Sequence, residues 1–263
     1  MSVLIIGGDS VIGSFLYNDI SNNTNYIVYK TSRKKINLNY YTLYLDLIKT
    51  DIDNWEIPTN IKTIIICAAV ARIADCYNDP KNSAFINITS TIKIAKKALK
   101  KNIHIIFLST NQVFDGKKAY QTTNNKVCPI TEYGKQKSEC EKQLLKLSFN
   151  KLSIIRLTKV VYSELPLFQD WKKKILLNDN VYAFYDMFFS PLLLSDVSNS
   201  IKKCIINEIY GIYHLSGLLD ISYFDFAKQV SLFLKKPLSL IKKDSALKKE
   251  NIVIEKYIRY TSL

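Results

Sequence analysis

Val3-Leu4-Ile5-Ile6-Gly7-Gly8-Asp9-Ser10-Val11-Ile12-Gly13 decides the fold. Its four leading apolar residues suit a strand buried on both faces. Glycines follow, and Ile12–Ile20 then carries apolar residues at helical spacing. A strand, a glycine turn and a helix in that order can cradle a pyrophosphate on the first amides of the helix. Gly7 and Gly13 hold the outer positions of a G-x-x-G-x-x-G spacing, and Ser10 stands at the middle one. Ser10 is small and its hydroxyl can donate to a phosphate. Gly7, Asp9, Ser10, Val11, Ile12 and Gly13 are therefore the candidate phosphate loop, with a plain structural turn as the alternative.

Outward from this loop, strands and helices alternate. Strands are expected at Tyr26–Tyr29, Thr42–Leu45, Thr63–Cys67, His104–Leu108 and Ser153–Leu157, with helices at Ser83–Lys100 and Glu132–Leu147. This rhythm predicts an α/β fold with a Rossmann-type, doubly wound parallel sheet. After Leu157 it loosens. A helix is expected at Leu167–Leu177, a strand at Val181–Phe184, and a helix at Leu194–Ile206 opened by Ser195 or Asp196. Gly211–Ser216 reads as a strand, and Ser222–Lys235 as a helix with Ser222 and Asp225 as a capping box. The expected division is a cofactor domain of residues 1–157 and 183–208. A smaller C-terminal α+β substrate-binding domain takes residues 158–182 and 209–263.

The 263 residues are 48% hydrophobic, enough for one large core with an appendage. No eighteen-residue apolar run exists, so no membrane-spanning helix is expected. The N-terminus lacks a basic region before its apolar run and reads as a strand, not a signal peptide. Five widely spaced cysteines without a C-x-x-C pair point to a reduced, cytoplasmic protein. The net charge is +14, but the lysines are scattered and no basic stretch interleaves with aromatics. Nucleic acid is not an expected partner. A funnel for a small anionic substrate remains open, beside the Lys, Ile, Asn and Tyr bias of an AT-rich genome. His104 and His214 read as structural, and no Cys/His spacing suggests a metal.

An NAD site places a carboxylate at the end of the second strand, for the ribose 2′-hydroxyl. Here Tyr26–Tyr29 runs into Lys30-Thr31-Ser32-Arg33-Lys34, with no carboxylate near. Ser32 and Arg33 suit a 2′-phosphate. NADPH is the expected cofactor and NADH the alternative; a solvated basic turn is the structural reading.

Pro129-Ile-Thr-Glu-Tyr133-Gly134-Lys-Gln-Lys137 places Tyr133 and Lys137 four apart on one helix face. A phenol titrates near about 10, and a neighbouring ammonium lowers that value. The pair suits proton transfer, although an exposed i,i+4 pair is the alternative. His104–Leu108 leads into Ser109-Thr110, where a hydroxyl can bond a substrate carbonyl.

The chain resembles the extended short-chain dehydrogenases, in particular the dTDP-4-dehydrorhamnose reductase group of nucleotide-sugar enzymes. The resemblance rests on Gly7 through Gly13, Cys67-Ala-Ala, Asp79-Pro80, Asn87, Leu108-Ser-Thr110-Asn-Gln-Val-Phe-Asp-Gly116 and Pro129 through Lys137. Ser190-Pro191, Asp196 and Gly211-Ile-Tyr-His-Leu-Ser-Gly217 continue it. It implies Thr110, Tyr133 and Lys137 as catalytic residues. Tyr133 would protonate a keto oxygen while NADPH delivers hydride. Tyr133 and Lys137 also face the cofactor, Asp46 and Leu47 lie near the adenine, Cys67, Ala68 and Ala69 flank it, and Asn87 supports the site. A nucleotide sugar is the implied substrate, and a homodimer is left open.

Four features depart from the group's pattern. Lys159 stands where Trp usually faces the sugar, and Phe189 and Leu192 replace a Gly and a Thr. The chain ends soon after Arg259-Tyr-Thr-Ser-Leu263. Gln112 occupies the position where epimerase–reductases carry a Cys, so plain reduction is expected. Tyr182, Phe184, Tyr185, Phe188 and Phe189 are candidates for a sugar pocket or for core packing. A 4-epimerase with bound NAD and a non-catalytic regulatory subunit are the other readings.

Overall fold

The opening apolar run forms β1 (Ser2–Ile6), buried along its whole length. In the computed structural model, which describes residues 1–147 and 150–248, β1 is near the centre of a seven-stranded sheet. On one side lie β2 (Ile27–Ser32) and β3 (Thr42–Tyr44). On the other lie β4 (Thr63–Ile66), β5 (His104–Thr110), β6 (Leu152–Leu157) and the edge strand Gly211–Leu215. Every pairing in this sheet is parallel. A parallel sheet needs crossover helices, and these cover both faces. Strand residues alternate between the two cores. Val3 and Ile5 pack with α1 (Val11–Asn23) and α7 (Leu194–Ile206) through Leu16, Ile20 and Ile201. Leu4 and Ile6 pack with α4 (Thr91–Lys100) and α5 (Glu132–Leu147) through Ala95 and Leu144.

A smaller lobe pairs Val181–Phe184 with Ile241–Asp244 in parallel. Helices α6 (Pro166–Leu176) and α8 (Tyr223–Phe233) supply Trp171, Ile175 and Ala227 to its core. This pairing corrects the expected division in two places. Gly211–Leu215 joins the central sheet against β6, and residues 183 and 184 belong to the small lobe's ladder. The segment 249–263, including Arg259–Leu263, lies outside the described residues.

Other local readings differ too. The expected helix Ser83–Lys100 is α3 (Pro80–Ala84), a π-helical turn at Phe85–Ser90, and α4. A short helix α2 (Ile73–Asn78) precedes it, with Cys76 its one buried residue, so it left no periodic apolar signal. Helix α7 starts after Leu193 with no side-chain cap, so neither Ser195 nor Asp196 opens it. At α8 the cap is as expected, because Ser222 Oγ accepts the Asp225 amide at 3.0 Å. His104 is a satisfied core residue, 2.7 Å from Ser153 Oγ, with its pKa pushed down to about 4 by burial. All five cysteines are free. Among the described residues no helix is long and apolar enough to cross a membrane, and no His/Cys/Asp/Glu group is arranged for a metal.

Candidate active site

The carboxyl ends of β1, β4 and β5 meet at the crest of the sheet, where parallel α/β sheets take their ligands. Gly7 turns the chain there with φ +87°, and a Cβ on it would sit 2.7 Å from the Ala68 backbone. Its amide donates to Thr31 Oγ1 at 2.9 Å. A Cβ on Gly13 would lie 2.3 Å from the Gly7 carbonyl oxygen, so α1 starts hard against the loop. Ser10 is the N-cap: its hydroxyl accepts the Gly13 amide at 3.1 Å and donates to the Gly7 carbonyl at 2.8 Å. That proton is committed within the loop, which corrects the expectation that it serves a phosphate. The Val11 and Ile12 amides, in the first helical turn, are left for an anion.

Two cavities flank this loop. The first, 290 Å³, is lined by Gly7, Asp9, Ser10, Arg33, Asp46 and Leu47, with Ala68 and Ala69 on its β4 side. The second, 310 Å³, is lined by Ser10, Val11, Ile12, Cys67, Ala69 and the three residues Thr110, Tyr133 and Lys137. Ser10 and Ala69 belong to both, so the two cavities adjoin across the phosphate loop. The shape and the free helix-end amides fit an extended dinucleotide, with its adenosine end in the first cavity.

Three candidates do not line either cavity. Gly13 is packed beneath the loop. Asn87, buried on the π-helical turn, grips the Val70 backbone, accepting its amide at 2.8 Å and donating to its carbonyl at 3.0 Å. It also donates to Gln136 of α5 at 2.8 Å, so it braces one wall of the first cavity rather than forming it. Ser32 is buried, and its hydroxyl donates to Asp9 Oδ2 at 2.7 Å. The expectation that no carboxylate lies near the second strand's end is thereby corrected: the phosphate loop carries Asp9 there. Sequence reading also missed Thr31, Val70, Ile86, Thr158 and Tyr162, which line the cavities but belong to no motif.

Helix α5 presents Tyr133 and Lys137 to the second cavity from its first two turns. It can approach because residue 134 is glycine: a Cβ there would be 2.2 Å from the Gln112 carbonyl oxygen. Thr131 anchors the helix start, accepting the Gly134 amide at 3.0 Å and donating to Gln112 Oε1 at 3.0 Å. Lys137 is buried, donates to the Leu108 carbonyl at 2.6 Å, and lies 3.7 Å from the Phe107 ring centroid. Burial lowers its pKa to about 8, partly offset by Cys140, Glu141 and Cys67. Burial raises the Tyr133 phenol above its ordinary value, with Cys76 adding to the shift. Lys137 does not reverse that rise, contrary to expectation. Tyr133 is accordingly held in its neutral, protonated form. Cys67, half-buried and with its thiol pushed up to about 12 by desolvation, stays a thiol.

Lys159 lines a third cavity of 420 Å³ with Trp171, Tyr182, Phe184 and Tyr223. Its ammonium donates to Tyr223 Oη at 2.8 Å and lies 5.9 Å from the Phe189 ring centroid. Thr158, the preceding residue, faces the second cavity with a buried hydroxyl that has no hydrogen-bond partner among the described residues.

The sequence model described as the RmlD substrate binding domain matches residues 1–248. The chain belongs to this family. It is 31% identical over 206 residues to a dTDP-4-dehydrorhamnose reductase of Aggregatibacter actinomycetemcomitans, covering 72% of this chain and 68% of that one. It spans 59% of the length of two further relatives. The fold is that of a solved dTDP-4-dehydrorhamnose reductase from Clostridium acetobutylicum, at TM-score 0.80, 20% identity and coverage of 100% and 90%. A Bacillus anthracis structure of that name, in complex with NADP, superposes at TM-score 0.77 with 21% identity, covering 99% of this chain and 88% of that one.

Proposed function

We propose that this chain reduces the 4-keto group of a 4-keto-6-deoxy nucleotide sugar with NADPH, or with NADH as the alternative. One observation carries the reading: Thr110, Tyr133 and Lys137 line a single cavity that adjoins the phosphate loop. When bound, the nicotinamide supplies the hydride. The neutral Tyr133 phenol donates its proton to the sugar's keto oxygen, and the Thr110 hydroxyl steadies that oxygen as charge develops. Lys137 orients the ribose and places a positive charge beside the phenolate that forms. Gln112, whose amide is held by Thr131, offers no base, so reduction proceeds without epimerisation. The NADP-bound neighbour and the reductase relative support this chemistry. The product would serve surface-polysaccharide or deoxysugar synthesis in the cytoplasm.

The test is NADPH oxidation against a panel of 4-keto nucleotide sugars. Consumption is expected with at least one, and Tyr133→Phe should lower kcat about 100-fold or more, the usual worth of a positioned acid. No consumption with any member would overturn the reading. In deuterated water, enzyme-dependent label at C3 or C5 would overturn the exclusion of epimerisation.

A further inference from the structure

The order of residues hides a carboxylate that the fold supplies. Strand β2 ends at Ser32, where a dinucleotide site usually reads the adenosine ribose. Ser32 is followed by Arg33, a cation, and no acid is near in sequence. Asp9 arrives instead from the phosphate loop. Ser32 Oγ accepts the Lys34 amide at 3.0 Å and donates to Asp9 Oδ2 at 2.7 Å, which fixes the carboxylate beside the strand end. Asp9 and Arg33 both line the first cavity. Ser32 is the partner the structure records for Asp9 among the described residues, so its other oxygen keeps its acceptor capacity. The cavity's second acid, Asp46, is turned to its own loop, where Oδ1 accepts the Ile48 and Lys49 amides at 2.9 and 3.2 Å.

We propose that Asp9 is a cofactor-selecting residue: it accepts a hydrogen bond from the ribose 2′-hydroxyl of NADH and opposes the 2′-phosphate of NADPH. A carboxylate gains a charge-assisted bond from a hydroxyl, whereas a phosphate carries the same sign of charge and repels it. Arg33 is the counterweight, attracting the phosphate. The two together give a site that takes both dinucleotides, in place of one selective for NADPH. This deepens the reduction proposed above and rests on the first cavity holding the adenosine end.

The experiment is equilibrium binding of NADPH and NADH, without sugar, to the wild type, Asp9→Asn and Arg33→Ala. Asparagine keeps an acceptor for Ser32 and removes the charge. The wild type is expected to bind both within about tenfold of each other, because Asp9 and Arg33 each contribute roughly one hydrogen bond to a charged group. Asp9→Asn should raise the preference for NADPH about tenfold, and Arg33→Ala should lower it by a similar factor. If Asp9→Asn weakens both dinucleotides equally, or neither, Asp9 merely ties the loop to the strand and the proposal is overturned. If the wild type binds neither, the reductase reading itself fails, an outcome that the binding of either one separates from failure of the selector.

Discussion

At the scale of single residues, the second cavity brings together a neutral phenol and a buried ammonium. Tyr133 and Lys137 are both buried, and burial drives their pKa values apart, raising the phenol and lowering the ammonium, by disfavouring each charged form. Lys137, at about 8 against an ordinary 10.5, is the group that titrates near working pH. Its ammonium should be lost as pH rises through about 8, and the alkaline limb of kcat/KM should fall there. Stability follows the opposite sense. Between about 8 and 10.5 the unfolded chain binds the proton that folded Lys137 has released, so this residue's contribution to stability rises with pH across that window. Below about 8 both states hold the proton and the contribution is flat. Comparing urea midpoints of the wild type and Lys137→Met at pH 7.5 and 10 isolates the effect, and equal differences at the two pH values would refute it. Tyr133, Lys137 and Thr110 were legible in the sequence because each sits in a spaced motif. Asp9's partner was not, because Ser32 lies 23 positions away and nothing local records that contact.

At the scale of elements, α5 continues inward beyond its motif. Tyr133, Lys137 and Glu141 recur every fourth residue, and all three are buried. Glu141 meets Arg156 of β6, with Nε 3.1 Å from Oε1 and Nη2 2.7 Å from Oε2, and Ser109 donates to the same carboxylate. Arg156 Nη1 lies 3.2 Å from His214 Nε2. Because the guanidinium can only donate, Nε2 accepts and Nδ1 donates to the Gln121 carbonyl at 3.0 Å. The pair thus joins α5, β5, β6, the edge strand and the 115–130 loop. Removing one partner strands a buried charge, so Glu141→Gln should cost about 3–5 kcal/mol in urea unfolding. Glu141→Leu combined with Arg156→Met should recover most of that loss. If the double variant is as unstable as the single one, packing and not the charge is what the pair provides. The boundaries of α5 were readable from apolar periodicity, whereas Glu141 resembles the exposed Glu139 in sequence. The i+4 step from Lys137 was the available signal. The π-helical turn that aims Asn87 was not readable, because one extra residue per turn leaves no mark on a short apolar pattern.

At the scale of the whole molecule, six strands of the sheet follow from the alternation of short β-branched runs with amphipathic helices, since parallel strands require such crossovers. The seventh strand could not be assigned that way. Gly211–Leu215 is half-buried and follows α7 as a strand of either lobe would, so pattern alone leaves its partner open. Pairing with β6 settles it: Ile212 packs on one core of the sheet and Leu215 on the other, and His214 completes the Arg156 network. The two lobes therefore interleave along the chain, and the central sheet takes its edge strand from beyond residue 208. Cutting after residue 208 would expose the ladder edge of β6, strip apolar cover from both cores and remove a partner of a buried guanidinium. Such a fragment is expected to lose cooperative unfolding in urea and to bind neither NADPH nor NADH. A fragment with a sharp transition and wild-type dinucleotide affinity would show instead that the edge strand is dispensable to the sheet and to the dinucleotide site.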